Sequence, residues 1–217
     1  MTTSRDTITI AAEQRPAAPL NRLAPLTGVA FFVLLMGAAI AAGPTPGAYD
    51  SGAKVLRIFA AHEGAERVSN LLDALGVVFL VFFAGILRAH LRQAGALATV
   101  AFGGLVVLAT GGAARAGVGW ALASGHDHLD PSTAQTLNVI FYGHYPAIVG
   151  IAIFMFAAWL AVLRTRALPL WLGWLALPIG LAAIAPPTLA PLIASGLWIA
   201  VAGVVVTVRG PVETDRA

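Results

Sequence analysis

Six stretches of roughly twenty apolar residues follow one another along this chain, and few folds accept such a pattern. They cover about 23–42, 68–87, 96–123, 137–163, 168–185 and 189–208. A helix needs about 20 mostly apolar residues to cross a bilayer core, where each backbone amide must find its partner inside the segment. Only 11% of the 217 residues are charged and 59% are hydrophobic, so a water-soluble domain would lack the polar surface to cover itself. Disorder is excluded by the same figures. The expected fold is all-α, an integral membrane bundle of six transmembrane helices over 23–208. A disordered cytoplasmic tail at 1–22 precedes it, and a second tail at 209–217 follows.

Local signals punctuate the runs. Pro186-Pro187 lacks amide donors and restricts its predecessor, which predicts a tight hairpin between the last two helices. Ala39-Ile40-Ala41 imitates a signal-peptide cleavage site, yet the apolar stretch is longer than a signal core and the leader before it is long. A retained first helix is expected.

Charge sets the orientation. Arg5, Arg15, Arg22, Arg88, Arg92, Arg164, Arg166, Arg209 and Arg216 fall on one side, against Lys54, Arg57 and Arg67 on the other. Nine against three places both termini in the cytoplasm and the chain in the cytoplasmic membrane. Trp171 and Trp174, at the start of the fifth helix, suit the inner interfacial belt. The net charge of +3 therefore reflects topology, and no basic patch with interleaved aromatics points to nucleic acid. The partner this pattern demands is the lipid bilayer. It names no ligand and no oligomeric state.

Two segments lie on the outer side. In the loop over 43–67, Ser51 is placed to cap a short helix whose Val55, Leu56 and Phe59 form an apolar stripe. That helix either lies in the membrane interface or packs on the bundle as a connection. After it, His62, Glu66, Asn70 and Asp73 are spaced 4, 4 and 3 apart, along one helix face descending into the bilayer. Asp73 would lie about 7–8 Å below Val68 at a rise of 1.5 Å per residue. A carboxylate at that depth costs a few kcal/mol unless it is paired or hydrated.

The third helix carries a partner. Gly103, Gly111, Arg115 and Gly119 share a face at multiples of four, where small residues admit a neighbouring helix. Running outward, this helix brings Arg115 to the depth of Asp73, and an ion pair between them is expected. Such a pair can serve registry alone. In the fourth helix Asn138, Tyr142 and Tyr145 fall at i, i+4 and i+7, while His144 stands aside as an isolated intramembrane histidine. Pro146 should free the carbonyl of Tyr142 and kink the helix. Glu66, Asn70, Asp73, Arg115, Asn138 and Tyr142 are thus the candidates to line a polar cavity open to the outside.

The second outer segment, His126-Asp127-His128-Leu129-Asp130-Pro131, has metal-ligand chemistry, with His62 on the same side. Its simpler reading is a solvated loop ending in an Asp130 N-cap, with Pro131 at the first helical position. No metal site is assigned, and His62, His126 and His128 stay as candidates. With no cysteine, thiolate sites and Fe–S clusters are excluded. Nucleotide, zinc-protease and serine-hydrolase fingerprints are missing, and His90 has no matching histidine for bis-His haem, so no cofactor is expected.

Three sets of residues carry a resemblance: Ser51-Gly52-Ala53-Lys54 with Asn70 and Asp73; His128-Leu129-Asp130-Pro131 leading to Gln135 and Leu137-Asn138; and Leu168-Pro169-Leu170-Trp171-Leu172-Gly173-Trp174. In these the chain resembles a group of small multi-pass membrane proteins from high-GC bacteria that carry domain-of-unknown-function labels, over about 25–208. The resemblance implies the multi-pass fold and no activity. From the residues, the leading expectation is a non-enzymatic membrane protein that binds or passes a small polar or amphipathic ligand. The alternatives are a membrane enzyme using Glu66, Asp73 or His144 on a lipid-like substrate, and a structural or accessory subunit. The three-helix halves show no internal repeat, which weighs against transport.

Overall fold

Apolar runs without capping competition become helices, because a helix satisfies its own backbone wherever water is excluded. The computed structural model describes residues 23–143, 145–184 and 189–209, and every regular element among them is helical. In chain order these are α1 (Thr27–Ala41), α2 (Gly52–Ala61), α3 (Glu63–His90), α4 (Ala96–Gly125), α5 (Pro131–Tyr142), α6 (Tyr145–Thr165), α7 (Leu170–Ile184) and α8 (Leu189–Arg209). Short 3-10 turns at Ala24–Leu26 and Arg92–Ala94 lead into α1 and α4. Five stretches are long and apolar enough to cross a membrane: Ala24–Ala41, Glu63–His90, Ala96–Gly125, Pro131–Thr165 and Ala190–Arg209. Leu170–Ile184 is a shorter apolar helix with Pro178 inside it. Pro186-Pro187, residues 1–22 and 210–217, and His144 lie outside the described residues, so the expected hairpin and the N-terminal tail do too, while Arg209 of the expected second tail ends α8.

Six helices close into a ring. α1 packs on α3, α3 on α4, α4 on α6, α6 on α7, α7 on α8, and α8 returns to α1. Its centre is one continuous apolar core that includes Phe31, Leu80, Phe83, Leu105, Ile151, Phe154, Leu172 and Trp198. Small residues set the closest approaches. A Cβ on Gly104 would lie 2.8 Å from the Cα of Phe154, and one on Gly150 2.8 Å from the Cα of Leu108, so α4 and α6 meet backbone to backbone. The close contact belongs to Gly104 rather than to Gly103, which faces open space. Gly111 meets Ala147 and Gly119 meets Asn70, as the glycine face of α4 predicts.

The fourth apolar run is two helices instead of one kinked helix over 137–163. α5 ends at Tyr142, where the Gly143 amide folds back onto the carbonyls of Val139 and Ile140. α6 then starts at Tyr145, with Pro146 in the first turn, where a missing amide donor is harmless. Its 21 residues alone reach about 31 Å, the thickness of a bilayer core. That frees α5 for another task.

α5 pairs with α2 to form a cap over one end of the ring. The cap has its own apolar core of Val55, Phe59, Leu122, Ala123, Ala134 and Phe141. Of the two readings of the Val55/Leu56/Phe59 stripe, packing is the one realised, with Val55 and Phe59 fully buried. Gly52 abuts the backbone of Pro131, so α2 and α5 touch where a side chain would not fit. Asp130 is the N-cap of α5, accepting from the amides of Ser132 and Thr133 at 2.9 and 3.0 Å. Hydrogen bonds from the Ser132 and Thr133 hydroxyls, and then these amides, hold its carboxyl well below the usual carboxylate range. Ser51, by contrast, occupies the N-cap position of α2 without its hydroxyl making a capping bond.

Candidate functional site

Beneath the cap, charges from two ring helices meet polar and aromatic groups from α5. Asp73 of α3 accepts a hydrogen bond and ion pair from the Arg115 guanidinium of α4. The guanidinium lies over the Phe141 ring, 4.5 Å from its centroid, so a cation–π contact adds to the pair. Phe141 in turn meets Phe59 and Tyr142 edge-to-face, at 6.4 and 6.0 Å between centroids. Arg115 is therefore fixed by a carboxylate from α3 and an aromatic ladder from the cap.

The 43–50 segment closes the arrangement from above. The Asn138 amide donates to the carbonyls of Gly47 and Ala48 at 2.9 and 3.4 Å, and the Tyr142 hydroxyl donates to Pro46 at 2.5 Å. A backbone with no regular structure needs such partners for its carbonyls, and α5 supplies them. Glu66, at the top of α3, is buried. Asp50 anchors the turn by accepting from the Gly47 amide at 2.7 Å and pairing with Lys54 at 2.9 Å. Lys54 and then Gly47 hold the Asp50 carboxyl below its ordinary value.

The six candidates from sequence thus come from three helices into one neighbourhood, each in a distinct setting. Glu66, Asn70 and Asn138 are buried, and Asp73 and Arg115 are partly shielded by each other. Asn70 donates to the carbonyl of Glu66 one turn back, and its side-chain oxygen covers Gly119. Asn138 is wholly buried, and its Oδ1 has no hydrogen-bond partner among the described residues. Tyr145 leaves the expected stripe, because the break at Gly143 turns it outward to 61% exposure. His144 lies outside the described residues.

Two contributors went unseen in the sequence. Phe141 reads as an ordinary core residue, and its position three after Asn138 was the available signal. The carbonyls of 46–48 belong to the backbone and carry no sequence signature. His62 and His126 bond locally: Nδ1 of His62 lies 3.1 Å from the Ile58 carbonyl, and His126 lies 3.0 Å from that of Ala123 and 3.2 Å from Asp127. No group of three or more His, Cys, Asp or Glu suited to a metal ion occurs among the described residues.

Beside the cluster, a groove of about 320 Å³ runs between α3 and α4, lined by Asn70, Leu71, Ala74, Val77, Ala113, Ala116, Gly117 and Trp120. Leu71 and Trp120 are half exposed at its rim. No family model, curated protein or solved structure matches the chain.

Proposed function

We propose that the chain is a six-span, N-in/C-in protein of the cytoplasmic membrane that binds a small amphipathic ligand beneath its outer cap. The ring supports six crossings, because α7 fills the place between α6 and α8 although it is only 15 residues long. The orientation rests on the basic residues, with Arg88, Arg92, Arg164, Arg166 and Arg209 at the ends of helices opposite the cap.

One observation carries the binding reading. Asn70 belongs both to the polar cluster and to the wall of the apolar groove. A polar head against the cluster and an apolar tail in the groove describe an amphipathic molecule, which enters sideways from the lipid. Acid–base catalysis asks for a carboxylate free to exchange a proton. Asp73 is instead tied to Arg115, so binding is the favoured function.

Gly117 supplies the test, since a Cβ there meets nothing within 4 Å. Gly117→Leu fills the groove without straining the bundle. Thermal unfolding of the purified protein in detergent, against a panel of short-chain amphiphiles, should find at least one that stabilises the wild type. Gly117→Leu should melt like the wild type when unliganded and lose that stabilisation. An undiminished response in the variant refutes the groove as the site.

A further inference from the structure

A second groove lies at the opposite end of the ring, where α3 turns into α4. It has a volume of about 300 Å³ and is lined by Gly85, Arg88, Ala89, Arg92, Gly95, Ala98, Thr99 and Phe102. Gly95 makes the turn at φ +59°, a conformation that disfavours a side chain. Both arginines are exposed, and among the described residues neither has an acidic partner. Arg88 is steadied by the Phe102 ring, 5.6 Å from its centroid. Among the described residues the Thr99 hydroxyl has no hydrogen-bond partner, whereas Thr110, Thr165 and Thr207 each donate to the carbonyl one turn back.

Two unpaired guanidinium groups and a free hydroxyl around a groove floored by glycine and alanine form a receptor for a compact anion with several acceptor oxygens. The start of α4 has no side-chain cap and no acidic residue in its first turn, so its dipole adds to the positive field. From this groove the flanks of α3 and α4 continue as exposed apolar surface through Phe82, Val81 and Val106. An anion seated here stands where a lipid headgroup stands, with acyl chains running down those flanks. We propose that this groove binds the phosphate headgroup of an anionic phospholipid, through Arg88, Arg92 and Thr99.

The alternative to a built site is a general preference of any basic loop for acidic lipid, and the experiment separates the two. Delipidated full-length protein in detergent is titrated with phosphatidylglycerol, phosphatidylcholine or inorganic phosphate, and bound adducts are counted by native mass spectrometry. Phosphatidylglycerol should bind in preference to phosphatidylcholine, and Arg88→Gln/Arg92→Gln should weaken it by about tenfold or more. Gly85→Leu should weaken it comparably with both arginines in place, because a Cβ on Gly85 projects into open space and the added side chain occupies the groove. Arg164→Gln/Arg166→Gln, which removes the same charge from another loop, should leave binding unchanged. Equal binding of the two lipids, wild-type binding by Gly85→Leu, or an equal loss in the Arg164/Arg166 variant overturns the proposal. Saturation by inorganic phosphate at the same concentration as lipid also overturns it, since it assigns the groove to the free anion. Far-ultraviolet circular dichroism of each variant confirms that a loss is not a failure to fold.

Discussion

Where α4 crosses α6, backbone lies on backbone, and Gly104, Gly111 and Gly150 leave no space for a side chain. Where α5 crosses the 43–50 segment, Asn138 and Tyr142 side chains reach carbonyl oxygens instead. Shape dominates in the ring, where bonds such as Ser69 to the Ala38 carbonyl and Trp198 to the Leu172 carbonyl are additions to it, whereas directed bonds fasten the 43–50 segment to the cap. Shape packing suits lipid, where apolar groups gain nothing by avoiding the solvent and van der Waals fit must decide. Directed bonds suit an end of the bundle where an irregular backbone needs partners. Between these two regimes sit Asp73 and Arg115, whose pair ties ring helices while Phe141 ties it to the cap. Polar chemistry has collected where the two regimes meet.

The glycines give the sharpest way to break this comparison. Gly104→Val drives a branched side chain into the Phe154 backbone, which no rotamer change relieves, and should cost about 3 kcal/mol or more. Its effect should appear as a loss of the main thermal transition. Gly52→Val makes a still closer clash with the Pro131 backbone, but in the cap. It should leave the main transition near its wild-type temperature while limited proteolysis opens segments 43–62 and 124–143. If Gly52→Val lowers the main transition as far as Gly104→Val does, ring and cap are one cooperative unit and the distinction fails.

The ion pair comes next in size. Removing one partner of a shielded pair leaves an uncompensated charge, and Arg115→Met should destabilise by about 3 kcal/mol. Asp73→Leu/Arg115→Met removes both charges and should recover most of that loss, as a double-mutant cycle in thermal or denaturant unfolding would show. Stability alone does not separate registry from binding. The doubly apolar protein should be folded yet unresponsive to any amphiphile that stabilises the wild type. A normal response would reduce the pair to a clasp between helices.

How much of this was legible in the sequence follows from where each kind of information is stored. Apolar run length is additive along the chain, so the helical nature of 68–87, 96–123 and 189–208 was readable directly. The ion pair was readable because two charges at one depth in an apolar field have few other ways to be accommodated. The break at Gly143 was harder. Asn138, Tyr142 and Tyr145 keep helical spacing straight through it, so periodicity argued for continuity and Pro146 for no more than a kink. Choosing between Gly103 and Gly104 needed the rotation of α4 against α6, which a regular glycine spacing leaves undetermined. Phe141 and the Pro46 carbonyl were out of reach, since an aromatic ring or a main-chain oxygen gains its role only from what folds against it.

Acid should produce the smallest effect, and it should be confined to the cap. Asp50 is held below its ordinary pKa of 3.8 chiefly by the Lys54 hydrogen bond, and Asp130 is lowered by Ser132 and Thr133. A carboxylate with a depressed folded-state pKa contributes stability that is present above its unfolded pKa and lost as pH falls through the folded one. Both anchors therefore weaken only below about pH 4, Asp50 releasing the 47–50 turn and Asp130 the start of α5. Pepsin, which works in this range, should cleave 43–62 progressively faster as pH falls from about 4 to about 2, relative to its rate on an unfolded substrate at each pH, with the ring helices protected throughout. Asp50→Asn/Asp130→Asn should remove most of that dependence by giving up the charge-assisted bonds at every pH. Acid-induced cleavage that begins within α4 or α6 would show that the ring, and not the cap, is the first part of the molecule to yield.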